Sequence, residues 1–323
     1  IELKDSSQDF VFENIERKPI LSINRNFSAP IILDFEQSAE ELLFQFANDD
    51  DPFNRWEAGQ KLAQDFILNG KTPTTELITA WDACLNDSSL DPAFKELALT
   101  LPAEAYLHEQ VAIVDPQEIH NNRRAFRKAM ALELKNSWAA AYQNNQTPGA
   151  YKPDPQSAGR RGLKNLALQM LLETNDQKWH DIAYQQFKQC NNMTDRFAAL
   201  SSLVNHSSDF APECLNNFFE RYANDDLALD KWFSLQATRQ SDDKNPVIQD
   251  VIKLRQHPSF KLQNPNRARS LIHAFCLSNL ANFHNPDGSG YEFWANEVIA
   301  LNAINPQVAA RLARGLDRWK KFS

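Results

Sequence analysis

Along most of the chain, apolar residues return at three- and four-residue intervals, and the first stretch departs from that rhythm. Met193, Phe197, Leu200 and Val204 share one face; Val308, Leu312, Leu316 and Trp319 share another; Leu163, Leu166, Met170 and Leu171 form a third stripe. Such stripes predict amphipathic helices with one buried side. Between Gln8 and Phe35 the period is shorter. Phe10 and Phe12 stand two apart, as do Leu21 and Ile23, and Pro30 leads into Ile31, Ile32 and Leu33. This reads as a few strands, too few for a stable sheet. They are expected to be the last part of a β domain whose other strands lie upstream of Ile1. That Ile1 is not a methionine leads to the same expectation of a longer polypeptide.

Helix start signals sharpen the division. Ser38-Ala39-Glu40-Glu41 is a capping box, in which the serine oxygen meets an orphan N–H and the glutamate reaches back. An acidic or amide residue followed by proline recurs at Asp51, Asp91, Asp115, Asp154, Asn245, Asn264 and Asn305. The first residue caps the helix, and proline at the next position loses nothing because its missing N–H would have been unpaired. The sequence therefore predicts residues 1–36 as the end of a small β-sandwich-like domain and 37–323 as a helical domain. The fold class is mainly α: an irregular, solenoid-like α-helical superhelix preceded by a short β remnant. No repeat of fixed period is present, which argues against a consensus HEAT, armadillo or TPR array. Asn144–Pro155 and Ser241–Asn245 read as surface loops.

Composition narrows the function classes. A net charge of −8 without a basic tail argues against nucleic acid as a partner. Cys84, Cys190, Cys214 and Cys276 are far apart and form no metal or disulfide pattern, which fits a reducing cytoplasm. No apolar run is long enough to predict a membrane span, and no membrane partner is expected.

The candidate chemistry is sparse. His108-Glu109-Gln110-Val111-Ala112 begins like the HExxH helix of zinc peptidases but has alanine where the second imidazole must stand. Zinc needs both on one face, so His108 reads as a surface histidine and no metal site is expected. His273 and Cys276 could pair imidazole with thiol, yet Cys276 lies in an apolar run and reads as inert. Asp287-Gly288-Ser289-Gly290-Tyr291 lacks a P-loop lysine and reads as a turn. Gln307, Arg311, Arg314 and Arg318 lie on the polar side of the last helix. They form either a solvated face or, in part, an anion site. No catalytic residue is expected within the chain.

Several stretches resemble the bacterial aminopeptidase N branch of the zinc aminopeptidases: Gln8-Asp9-Phe10-Val11-Phe12, Phe27-Ser28-Ala29-Pro30, Asn54-Arg55-Trp56, Asn191-Asn192-Met193-Thr194-Asp195, Asp230-Lys231-Trp232-Phe233, the run Asn264 to Ile272, Phe283-His284, Asp287 to Tyr291, and Asn305-Pro306-Gln307-Val308-Ala309. They fall in order over nearly the whole chain. The resemblance implies the end of a small β domain plus most of a C-terminal helical superhelix. The zinc, the HExxH helix and the other catalytic motifs would sit in a catalytic domain of the same polypeptide. It further implies that the helical domain covers the active site and encloses a chamber for peptide substrates. Arg269, Gln307 and Arg311 match channel residues facing the downstream part of the peptide. In the family the superhelix continues beyond the position of Trp319, a departure that bears on the chamber's rim. The alternative is a stand-alone α-solenoid scaffold gripping a protein partner.

Overall fold

The computed structural model describes residues 4–241 and 246–323. Helices follow one another in short, tightly joined steps: α1 (Ala39–Asn48), α2 (Pro52–Leu68), α3 (Thr75–Asn86), α4 (Pro92–Leu99), α5 (Glu104–Glu109), α6 (Pro116–Glu133), α7 (Lys135–Asn144), α8 (Pro155–Leu172) and α9 (Gln177–Gln189). The second half continues with α10 (Met193–Asn205), α11 (Ala211–Arg221), α12 (Asp226–Ala237), α13 (Val247–Arg255), α14 (Pro265–Ala268), α15 (Ala274–Ser278), α16 (Leu280–Phe283), α17 (Ser289–Asn302) and α18 (Pro306–Ala313).

The start signals act as expected. Asp51, Asp91, Asp115, Asp154, Asn264 and Asn305 each cap a helix through a side-chain oxygen, with proline next in line. The Ser38–Glu41 capping box is reciprocal. Asn245 and most of the expected 241–245 loop lie outside the described residues. The Asn144–Pro155 loop is present between α7 and α8.

Neighbouring helices stack in pairs, α1 on α2, α7 on α8, α9 on α10 and α17 on α18, while α4 and α10 both reach α8. The joint core is continuous and rich in large rings, with Trp81, Trp138, Phe126, Phe187, Phe233 and Phe275 almost wholly enclosed. Burying each such ring stabilises the array by about 2 to 3 kcal/mol. Helix length varies from 4 residues in α16 to 18 in α8, so equivalent apolar positions fall at no constant interval.

One segment stands without strand partners among the described residues, and one expectation fails. No strand is paired between Gln8 and Phe35; that segment carries only a short 3-10 turn at Arg25–Phe27, and Phe12, Ile15 and Ile32 are exposed. Strand backbone needs a neighbouring strand to take up its N–H and C=O groups, and no other described segment offers one. Side chains hold the segment instead: Arg25 pairs with Asp49 and Asp50, and Asn54 donates to Ser22. The stripe on the last helix also breaks, leaving Trp319 63% exposed. Helix α18 stops at Ala313 and tighter 3-10 turns at Arg314–Leu316 and Trp319–Lys321 shift the period.

The array closes on itself. Gln117 at the start of α6 donates to the Ala281 carbonyl of α16 at 2.6 Å. Residues 321–323 lie beside Val114, with the Val114 N–H on the Lys321 carbonyl and the Ser323 N–H on the Val114 carbonyl.

Candidate functional site

The Asn264–Ile272 segment is built around one arginine. Arg267, 3% exposed, donates from Nε to Asp230, from Nη1 to the Ser259 carbonyl and from Nη2 to Asp226. Its guanidinium also lies over the Phe233 ring at 5.1 Å. With α14 so fixed, the backbone passes into a π-turn over Arg269–His273 before resuming as α15. A π-turn inside a helix puts one extra residue into the turn and is frequent at functional sites.

That turn presents Arg269 to solvent, where its Nη1 donates to the Asn266 side chain over a long 3.4 Å. His273 faces inward. Its Nε2 is buried beside the Val308 backbone, with no well-formed hydrogen bond among the described residues. Burial, then the charge of Arg269, and more weakly that of Arg311, hold the imidazole below its ordinary basicity, while the Val308 backbone works the other way.

Gln307 and Arg311 are exposed, one turn apart on α18, and neither side chain makes a hydrogen bond or ion pair among the described residues. Arg311 lines a cleft of about 640 Å³ between α5, α15, α16 and the turns after α18. The other arginines of that face are engaged: Arg314 pairs with Asp317 at 3.0 Å and Arg318 with Glu109 at 2.7 Å. The two accounts of the basic face therefore divide by residue, with Arg311 unpaired and its neighbours neutralised. Gln307 and Arg311 share one face of α18, while Arg269 projects from the π-turn.

His108, expected at the surface, is 7% exposed. Phe322 covers it edge-on and stacks over His284 at 4.0 Å, and the His108 Nε2 has no partner. The 321–323 clasp supplies that cover, a long-range contact that local sequence does not show. Cys276 is fully enclosed and burial pushes its thiol well up, so it is a poor nucleophile for a partner such as His273. The Asp287–Tyr291 motif is a turn: Asp287 accepts from the Ser289 N–H and hydroxyl, and Gly288 takes a positive φ of 75°.

A second cavity, about 420 Å³, lies among α6, α8, α10 and α15. Its charges answer one another: His120 meets Glu104 at 2.8 Å, and Glu173 receives Arg127 at 2.7 Å and His206 at 3.3 Å. Burial would raise the Glu173 carboxyl, but the His206 contact and the Arg127 charge bring it below its usual range. Among the described residues no three His, Cys, Asp or Glu side chains gather as metal ligands.

Comparison with known proteins places this geometry. The family model described as "Domain of unknown function (DUF3458_C) ARM repeats" matches residues 39–323, and "Domain of unknown function (DUF3458) Ig-like fold" matches residues 1–36. Aminopeptidase N of Caulobacter vibrioides is 35% identical over 332 aligned positions, covering 100% of this chain and 38% of the relative. Aminopeptidase N of Escherichia coli is 35% identical with the same coverage. A crystal structure of Legionella pneumophila aminopeptidase A in complex with aspartic acid superimposes with a TM-score of 0.87 at 32% identity, over 97% of this chain and 38% of that one. The chain thus spans under two fifths of the length of the relatives it matches.

Proposed function

The chain belongs to the family of ARM-repeat domains that forms the C-terminal part of aminopeptidase N, and from that premise we propose that it covers the active site of a peptidase and binds the downstream end of the peptide. The partner is the catalytic domain of the same polypeptide, and the substrates are peptides that lose their N-terminal residue. The zinc and the groups that act on the scissile bond belong to that catalytic domain. Residues 1–36 are assigned to the small β domain that precedes the superhelix, a division supported by the separate family matches on either side of residue 37. Pairing with strands of that domain would occupy the backbone groups and the exposed Phe12 and Ile32 that the described segment leaves open.

The observation that carries the site is the state of Arg311. It lines a large cleft in which the two carboxylates, Asp317 and Glu109, are taken by Arg314 and Arg318, and its own side chain pairs with neither. A guanidinium in that state suits an incoming carboxylate, and a charge-assisted bond contributes about 1.5 to 3 kcal/mol. Gln307, one turn earlier on α18, and Arg269 are assigned as further contacts to the peptide. A cytoplasmic site of action is supported by four free cysteines, three of them buried. The relatives match along the full chain, which favours this reading over a stand-alone scaffold.

In the full-length enzyme, Arg311→Ala should raise the KM of short peptides by roughly tenfold or more. Amino-acid arylamides, which have no terminal carboxylate, should be affected little. Equal effects on both substrate types would reject the assignment.

A further inference from the structure

We propose that the Arg311 cleft reads the last side chain of the peptide as well as its carboxylate, and that it selects an apolar one: leucine, methionine or phenylalanine over glycine, aspartate or lysine. The inference rests on the proposed role of Arg311 in binding the peptide's downstream end, and adds the substrate class to it.

The cleft of about 640 Å³ has two unlike parts. Arg311 stands on one, toward the end of α18. The other is assembled from elements distant in sequence, each giving one apolar side chain: Ala105 from α5, Leu277 from α15 and Leu280 from α16. Ala105 is exposed and both leucines are only half-buried, so apolar surface remains open along the cleft. Phe322, also half-buried, extends that surface, its ring centred 4.0 Å from that of His284.

One contact sets the distance between the two parts. Gly315 stands four residues beyond Arg311, and a Cβ there would lie 2.9 Å from the Leu277 Cδ2. Leu277 thus rests on backbone about one helical turn, roughly 5 Å along the axis, from the position of Arg311. The carboxylate of an amino acid and the tip of its side chain are separated by a comparable span. A single residue can therefore place its carboxylate on the guanidinium and its side chain on the leucines.

The charges of the cleft disfavour other side chains. Its two carboxylates, Glu109 and Asp317, are taken by Arg318 at 2.7 Å and Arg314 at 3.0 Å. Its two imidazoles, His108 and His284, are held below their ordinary basicity by burial. Once Arg311 has received the terminal carboxylate, an acidic or basic last side chain loses hydration without a free counter-ion. A leucine or phenylalanine side chain instead takes its own surface and that of the leucines out of water together.

The test uses the full-length enzyme and short alanine peptides of graded length ending in leucine, phenylalanine, glycine, aspartate or lysine, each as free acid and as C-terminal amide. Initial rates of alanine release give kcat/KM, compared at the length where the acids exceed the amides most. Among the acids, wild type should favour leucine and phenylalanine by about tenfold or more, the discrimination typical of a hydrophobic pocket. Among the amides, which Arg311 does not anchor, the preference should shrink. Leu280→Ala should lower the leucine-to-aspartate ratio several-fold, and Leu280→Lys should invert it. Each ratio is taken within one preparation, so any loss of folded enzyme cancels. Wild-type acids that are cleaved alike whatever their last residue would overturn the proposal, as would a ratio unmoved in both Leu280 variants. If the acids exceed the amides and Arg311→Ala removes the excess while the last side chain has no effect, this proposal falls and the Arg311 reading stands; acids no better than amides at any length would overturn both.

Discussion

Arg267 and Arg269 are separated by a single residue, and their surroundings are opposite: Arg267 is sealed against Asp226 and Asp230 while Arg269 stands in solvent with one long contact. The buried arginine fixes the turn from which the exposed one projects. Arg267→Ala should therefore destabilise the protein by about 3 kcal/mol or more, because Asp230 is left half-enclosed without its counter-ion. Lysine should recover only part of the loss, since it lacks the forked donor geometry. Urea unfolding decides the matter: a midpoint equal to wild type for Arg267→Ala would show that the ion pairs do not anchor the segment.

Gly290 should tolerate no side chain. A Cβ at this position would lie 2.2 Å from the Phe283 carbonyl oxygen, which belongs to backbone and has no room to yield. Gly290→Ala should cost about 2 kcal/mol or more through overpacking, read as a lowered melting temperature. The same change at Gly149, with open space around its Cβ, should differ in cause, since its φ of 87° and not a clash sets any penalty.

Asp115 accepts from both the Gln117 and Glu118 N–H groups at the start of α6. Asp115→Ala should cost about 1 kcal/mol, and Asp115→Asn much less. Equal losses for the two would mean that charge and not capping is the relevant property.

His284 supplies a pH dependence. Burial, reinforced by His108, pulls its imidazole down to about 4 from an ordinary value of 6.5. The unfolded chain thus binds the proton more readily than the folded one. Stability from this group is present above 6.5 and is lost as pH falls from 6.5 toward 4, by up to about 3 kcal/mol over the window. His284→Phe should flatten the stability profile across that window; a profile as steep as wild type would refute the role.

Much of the helical plan is legible because it is local. Caps such as Asp51-Pro52 and Asn264-Pro265 need only their own side chain and the next three N–H groups, and the structure realises both. Stripes such as Met193, Phe197, Leu200 and Val204 need only a helical period, and all four meet the core. What escaped depends on partners distant in sequence. His108 is covered by Phe322, more than two hundred residues away, and nothing near His108 announces it. The 8–35 segment has strand-like alternation, but a strand is defined by its neighbour and none is among the described residues. The π-turn at Arg269–His273 has no local signature either. Its residues continue the helical pattern without a break, and Arg267 anchors the backbone just before it.

The clasp between Val114 and residues 321–323 alters how the stacked helices come apart. An open row of repeats frays from whichever extremity is weaker, since each unit leans only on its neighbours. Here Gln117 reaches α16, Arg318 reaches Glu109, and the backbone of residues 321–323 is pinned to Val114, so the last helices of the described row lean on an early one. The array behaves as a hoop, and opening it at the seam removes the wall of the Arg311 cleft at the same moment. Anything that seats itself in that cleft also holds the hoop shut.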